Sequence, residues 1–527
     1  LIVVTGDKAT MTRTMADQHS VDGPEGDEFR EFDKFFLNAS NLGEHLNAMA
    51  SMLGVLTRHA VKEPYSGSSP AELTETLAGV DPFPGTGAAP AEIAQDIEFL
   101  VRNSISLTNP RSVAHLLGPP IIPALQAEVL ISALNQSLDV FETSPVATIF
   151  EQALVARICR EFGLPASADG TFTPGGTHSN YAALLLARDH WLEQKIGWSA
   201  KRSGLPPCAR DFRILCSDAA HFSVEKAAAQ LGLGTDAVIR IPVDDGHRIR
   251  TDSLAEEIDL LGRDGKIPIA IVATAGTTDF GAIDDLTACA GIATAAGIWL
   301  HVDAAYGGGL AFSQRYRSRL NGIESADSIS VDFHKMLWQP ASCGLLLLGD
   351  SARFSLLTHR ADYLNPVENK VAGIPDLVDK SLMTTRRFDA LKVWLSLRTL
   401  GKRRIDEMIG HVLDLAQRAA GMIEADDRLE MLHRPELGCL VFRYVPGADY
   451  VSDVVHRQIQ QTLMAEGRAM IATTRVREKI CLKLTLLSPL VRERDLRALI
   501  REISDIGAKI EADLLVTSNI EGIRDHE

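Results

Sequence analysis

Ser328 to Lys335 reads SISVDFHK, a short apolar alternation that runs out into a histidine and a lysine. Ile329 and Val331 on alternate positions, with so little length, predict a strand. Three more apolar runs finish in residues suited to chemistry. GIWLHVDAAYGG (297–308) delivers Asp303 and then small residues that leave room for a flat ligand. IPIAIVATAGTT (267–278) leads from Ile267–Ala273 into the Gly276-Thr277-Thr278 turn, and FRILCSDAAH (212–221) carries the Phe212–Cys216 strand to His221, which opens the helix VEKAAAQLGLG. Parallel sheets gather the carboxyl ends of their strands at one edge, so the four runs predict an α/β domain with a site there.

Taken singly, each of these side chains is an ordinary solvated or structural residue. Their order makes a pattern. An Asp at a buried strand end costs stability unless it meets a cation, and a protonated pyridine nitrogen is such a partner. A lysine 32 positions later, Lys335, can form an imine. A fifth element, Pro174-Gly175-Gly176-Thr177-His178-Ser179-Asn180, precedes an apolar helix expected to begin near Tyr181. Its backbone N–H groups, a hydroxyl and the positive helix end can hold a phosphate. The other reading is a plain Gly-rich turn with Thr or Ser capping the helix. No G-x-G-x-x-G follows the first strand, which excludes a dinucleotide fingerprint.

The bulk composition narrows the class. With 527 residues, 46% of them hydrophobic, the chain can bury a large core and form two to four domains. The 69 acidic against 53 basic residues give a formal charge of −16, which argues against nucleic acid or an anionic membrane as partner. Seven scattered cysteines without a C-x-x-C pair point to neither disulfides nor zinc, and a reducing cytoplasm is expected. No apolar run approaches the roughly 18 to 20 residues that cross a bilayer. The opening LIVVTGDKATMTRTM fails as a secretory signal, and the natural start is expected at Met11 or Met15.

Four regions follow from the patterning. Residues 1–35 read as a disordered polar tail and 36–124 as a helical segment punctuated by YSGSSPAELTE and VDPFPGTGAAP. Residues 125–400 form the large α/β domain. Residues 401–527, with HVLDLAQRAAGMIEA, CLVFRY, ICLKLTLLSP and RDLRALIREISDIG, form a smaller α+β domain.

From about Arg111 to about Gly507 the sequence resembles the group II pyridoxal-phosphate-dependent amino-acid decarboxylases of fold type I. The resemblance is carried by TPGGTHSN, HFSVEKAA, ATAGTTDFGAIDD, WLHVDAAYGG and SISVDFHK. AHLLGPP, DFHKMLWQPASCG, HRADYLNP and SLMTTRRFDALKVW are similar to the bacterial L-2,4-diaminobutyrate decarboxylases, with siderophore-pathway lysine decarboxylases near them. The resemblance implies a mostly parallel seven-stranded sheet flanked by helices, and a homodimer with its sites at the subunit boundary. It implies pyridoxal 5′-phosphate carried on Lys335, Asp303 paired with the ring nitrogen and His221 stacked on the ring. Gly176, Thr177 and His334 then fall at the phosphate, with Thr278 and Ala305 beside the ring and its substituents. The expected reaction is decarboxylation of a small L-amino acid, diaminobutyrate first. Lysine or ornithine, or an aldehyde-forming outcome on the same fold, are the alternatives.

Two features depart from the family pattern, and a third residue carries two readings. Many members return a proton to the product from a tyrosine on the loop before the helix that begins here near Arg387, yet Leu364–Arg386 holds no tyrosine. Tyr363, His221 and Lys335 stand as the three available groups. Lys483 occupies a position where relatives often bind the substrate carboxylate with arginine; it keeps the charge and loses the bidentate fork. A solvent-facing lysine on an alternating strand is the second reading. His115 in AHLLGPP matches a region lining the substrate entrance, and a structural histidine is its second reading.

Overall fold

The protein is described here by a computed structural model covering residues 32–60, 63–447 and 452–524. Residues 1–31, with the expected start at Met11 or Met15 and most of the polar tail, lie outside the described residues. The chain divides into two parts, Leu1–Gly54 and Val55–Glu527. The described residues of the first hold a 3-10 turn, Asp33–Phe35, and the beginning of the helix Leu42–Ala60.

The second part is built on a seven-stranded sheet. Its strands are β1 (Asp169–Thr173), β2 (Phe212–Ser217), β3 (Val238–Ile241), β4 (Ile267–Thr274), β5 (Trp299–Ala304), β6 (Ser328–Asp332) and β7 (Gly344–Leu348). They lie in the order β1-β7-β6-β5-β4-β2-β3. The pairs β3–β2, β2–β4, β4–β5 and β5–β6 are parallel, and β7 runs antiparallel to both of its neighbours. The seven-stranded, mostly parallel sheet expected from the sequence is therefore present.

Helices cover both faces, which is why the central strands read as unbroken apolar runs. Ile271, Val272, Val302 and Val331 are fully buried, and each such side chain contributes about 1.5–3 kcal/mol relative to exposure. The helix Gly176–Ile196 packs along β6, β7, β4 and β5. The segment FDALKVW opens a helix, Ala390–Glu424, that passes through a non-helical Gly401 (φ 71°, ψ 162°). Gly tolerates that backbone where other residues are strained.

The C-terminal half of that helix packs against a second sheet of four antiparallel strands. These are β8 (Leu429–Met431), β9 (Cys439–Tyr444), β10 (Ala472–Val476) and β11 (Lys479–Thr485), in the order β10-β11-β9-β8. The helices Ser452–Ala465 and Glu493–Arg524 complete this region. Among the described residues no helix is long and apolar enough to cross a membrane, and no His/Cys/Asp/Glu group is arranged to hold a metal.

Candidate active site

The parallel strands end together. In the ladder register Thr274 of β4 lies beside Asp303 of β5, which lies beside Ser330 of β6. One cavity of about 690 Å³ opens over this edge. It is lined by Gly176, Thr177, His221, Thr278, Asp303, Ala305, His334 and Lys335, so eight of the sequence-derived candidates share one space.

Asp303 is the most constrained of them. Its Oδ2 accepts from Asn180 Nδ2 at 2.7 Å, and its Oδ1 accepts from the Ala305 N–H and the Ser330 hydroxyl, both at 3.1 Å. Burial by itself raises a carboxyl pKa, but the Lys335 charge and these donors overcome it and hold Asp303 below the ordinary range. A buried carboxylate aimed at a cavity is poised for a cationic ligand.

The anion side of the cavity is the start of the helix Gly176–Ile196, five residues earlier than the sequence suggested. Its first turn leaves N–H groups without carbonyl partners inside the helix. A Cβ at Gly176 would come within 2.9 Å of Ala305 Cβ and 3.2 Å of Asp332 Oδ2, so only glycine keeps this cradle open. His334 closes one flank, its Nδ1 accepting from the Cys343 N–H at 3.2 Å and lying 3.0 Å from the Cys343 carbonyl.

Lys335 extends from the residue after His334, and its Nζ lies 3.1 Å from Asp332 Oδ2. Asp332 is buried, and its Oδ1 has no hydrogen-bond partner. This carboxylate, inside the quoted SISVDFHK yet passed over there, gives Lys335 a counter-charge. His221 lies across the cavity with Nδ1 2.8 Å from Ser223 Oγ. Burial lowers its pKa, which favours the neutral ring.

Three candidates, His115, Lys483 and Tyr363, do not line the cavity. His115 is exposed, and Lys483 is 6% exposed, which rules out the solvent-facing reading of that lysine. Its Nζ donates to the Thr278 carbonyl at 2.8 Å and pairs with Asp279 at 2.9 Å, so it holds the turn that carries Thr278 into the cavity. The alternation in ICLKLTLLSP suggested an open face, but β11 is covered on both sides from Ile480 onward. Tyr363 is 84% exposed and lies outside its own chain's cavity.

The buried histidines set an acid limit on stability. Burial pushes His301 and His456 down to about 4, so both are neutral in the fold and titrate near 6.5 when unfolded. Between those values the unfolded chain binds more protons, so stability falls as pH falls, by roughly 3 kcal/mol per histidine over the full span. Asp284, raised to about 6 by burial, acts in the opposite sense and offsets about one of them. Calorimetry should give a Tm a few degrees lower at pH 5 than at pH 7; a Tm that holds or rises contradicts this account.

The donor set fits pyridoxal phosphate. A helix start with an obligatory glycine suits a phosphate, a buried carboxylate suits a protonated ring nitrogen, and an amine at the cavity wall suits an aldehyde.

Comparison with known proteins agrees. Residues 81–445 match the pyridoxal-dependent decarboxylase conserved domain. The chain is 42% identical over 470 residues to an L-2,4-diaminobutyrate decarboxylase of Rhizobium meliloti, covering 89% of this chain and 90% of that protein. It is 36% identical over 504 residues to one of Acinetobacter baumannii, covering 93% and 98%. A crystal structure of the glutamate decarboxylase domain of a Vibrio parahaemolyticus diaminobutyrate-pyruvate transaminase and L-2,4-diaminobutyrate decarboxylase superposes with a TM-score of 0.84 at 35% identity, covering 92% of this chain and all of that one.

Proposed function

We propose a specific reaction from the premise that this chain belongs to the pyridoxal-dependent decarboxylase family: conversion of L-2,4-diaminobutyrate to 1,3-diaminopropane and CO2. The chain is a carboxy-lyase of fold type I that uses pyridoxal phosphate. The observation that carries the substrate is the likeness, over nearly the whole chain, to two bacterial enzymes bearing that activity.

When bound, pyridoxal phosphate supplies a protonated ring that takes up the electron pair left by departing CO2. Asp303 keeps the proton on the ring nitrogen by opposite charge in a buried site. Lys335 would hold the cofactor through its aldehyde, and Asp332 gives the free Lys335 ammonium its counter-charge. His221 would face the cofactor ring, while Gly176, Thr177 and His334 would hold the phosphate. Thr278 and Ala305 bound the ring edge, the former steadied by Lys483.

A panel of diaminobutyrate, ornithine, lysine, glutamate and DOPA tests the substrate. We expect the highest kcat/KM for diaminobutyrate, with amine and CO2 as products. Diaminobutyrate ranking last, or aldehyde as the main product, overturns the reading.

The assembly proposed is a homodimer, in a reducing cytoplasm that suits the seven free cysteines. Ile122, Leu130 and Leu134 on the helix Ile122–Leu134, with Val146 and Ile149 on the helix Pro145–Glu161, are each at least half exposed. Apolar surface of this extent on two successive helices supports an association face. The exposed Tyr363 is then available to the second subunit's site as the proton donor. Light scattering should give twice the 57.2 kDa chain mass, and a fully active monomer contradicts the proposal.

A further inference from the structure

Behind Asp303 lies a chain of buried polar groups whose donors and acceptors can be worked out from both ends. At one end Trp299 Nε1–H, which can only donate, reaches Ser328 Oγ at 2.8 Å. Ser328 Oγ is 2.9 Å from His301 Nδ1, and His301 Nε2 is 2.9 Å from Asn180 Oδ1. Asn180 Nδ2 then branches, to Asp303 Oδ2 at 2.7 Å and to Ser223 Oγ at 2.9 Å. Ser223 Oγ ends the second branch 2.8 Å from His221 Nδ1. His301, Ser328 and Ser223 are completely buried, and Asn180 is 1% exposed.

Only one arrangement of protons satisfies all of these contacts. A carboxylate at Asp303 accepts and cannot donate, so the Asn180 amide must face it with nitrogen. The amide oxygen then faces His301, whose Nε2 must carry a proton. A neutral His301 has a bare Nδ1, which accepts a hydrogen bond from the Ser328 hydroxyl while Ser328 accepts from Trp299. On the other branch Ser223 accepts from Asn180 and donates to His221 Nδ1. The backbone N–H of Ser223, a longer contact at 3.3 Å from the same nitrogen, agrees with a bare Nδ1 there.

We infer that His301 is a positioning residue: through Asn180 it keeps an N–H aimed at Asp303 and fixes the proton of the cavity histidine His221 on Nε2. It touches neither cofactor nor substrate. One buried imidazole thus couples the carboxylate proposed for the ring nitrogen to the cavity histidine. A fully satisfied network in a dry interior is stiff, because each group left unpaired there is costly. Without the His301 donor the amide is free to turn, setting its oxygen against the Asp303 carboxylate and its nitrogen away from Ser223. The inference rests on the proposed pairing of Asp303 with the ring nitrogen for its effect on the cofactor, while the state of His221 stands on the hydrogen bonds alone.

The test compares His301→Leu with His301→Gln, whose amide can donate to Asn180 and accept from Ser328. The first reading is the nitrogen NMR of holoenzyme labelled with [15N]histidine, the His221 signals being identified by their loss in His221→Gln. We expect wild type and His301→Gln to hold His221 protonated on Nε2, and His301→Leu to give a mixture of both neutral forms. The second reading is the bound cofactor's absorbance against pH with kcat. Here His301→Leu should displace the titration midpoint and lower kcat at least about 20-fold, with His301→Gln within about threefold of wild type. Asn180→Ala cuts the relay at its branch and should reproduce the loss, which keeps the test open if His301→Leu fails to fold. Wild-type His221 signals and titration in His301→Leu or Asn180→Ala, or a glutamine variant no better than leucine, overturn the inference. Changed His221 signals with an unchanged cofactor titration overturn the pairing of Asp303 with the ring instead.

Discussion

Lys335→Ala should leave a protein that folds, lacks the yellow absorbance of covalently held pyridoxal phosphate, and turns over at least about a thousandfold more slowly. The size follows from the absence of a substitute among the cavity's neighbours. Lys226 lines the cavity from an exposed position on the helix Ser223–Gln230. Lys392 is fully buried, but its Nζ is held by Glu128 at 3.0 Å, Asp389 at 2.9 Å and the Ser342 carbonyl at 3.0 Å. Lys483 is pinned by Thr278 and Asp279. Among the described residues, Lys335 alone is a lining amine set against a buried carboxylate at the sheet edge. Absorbance and steady-state turnover on the same preparation check this, and near-normal turnover refutes it.

Asp303→Asn should lower kcat by about a thousandfold and weaken cofactor binding while preserving the fold. The substitution keeps shape and removes charge. A neutral amide cannot keep a proton on the ring nitrogen as a carboxylate does. It also meets an amide already turned to suit a carboxylate: one orientation sets two NH2 groups together where Asn180 Nδ2 now donates at 2.7 Å, and the other leaves the Ala305 N–H and the Ser330 hydroxyl without their acceptor. Kinetics together with an absorbance titration of the cofactor check both effects. Activity within tenfold of wild type would show that Asp303 does not govern the ring.

The strands that make the site were legible because each needs cover on both faces and so reads as an apolar run closed by small residues. The ends expected at Cys216, Ala273, Asp303 and Lys335 fall within three residues of the observed strand ends at Ser217, Thr274, Ala304 and Asp332. Other strands gave weaker signals. GLLLL of β7 has no alternation and no β-branched residue, and its length alone cannot separate strand from helix. VIRI of β3 lies at one edge of its sheet and is only partly buried, while DGTFT of β1, at the other edge, is buried from Gly170 onward yet is built mostly of small and hydroxyl residues that form no apolar run.

The helix start at Gly176 was hidden by its own chemistry, since Pro-Gly-Gly reads as a breaker until the close approach of Ala305 explains the glycine. The network behind Asp303 was missed for a different reason. His301, Ser328 and Ser330 stand inside strings that were read, but a polar side chain in a strand carries no local mark of its partner. The usable signal was their setting: a histidine at the centre of WLHVD, in a strand buried on both faces, must be hydrogen-bonded.

The most direct test of the account is the position of the covalent link. Holoenzyme reduced with borohydride, digested and mapped by mass spectrometry should carry the phosphopyridoxyl group on the peptide containing Lys335 and on no other lysine. A label on Lys226, Lys392 or Lys483, or no label on a protein that decarboxylates its substrate, would contradict it.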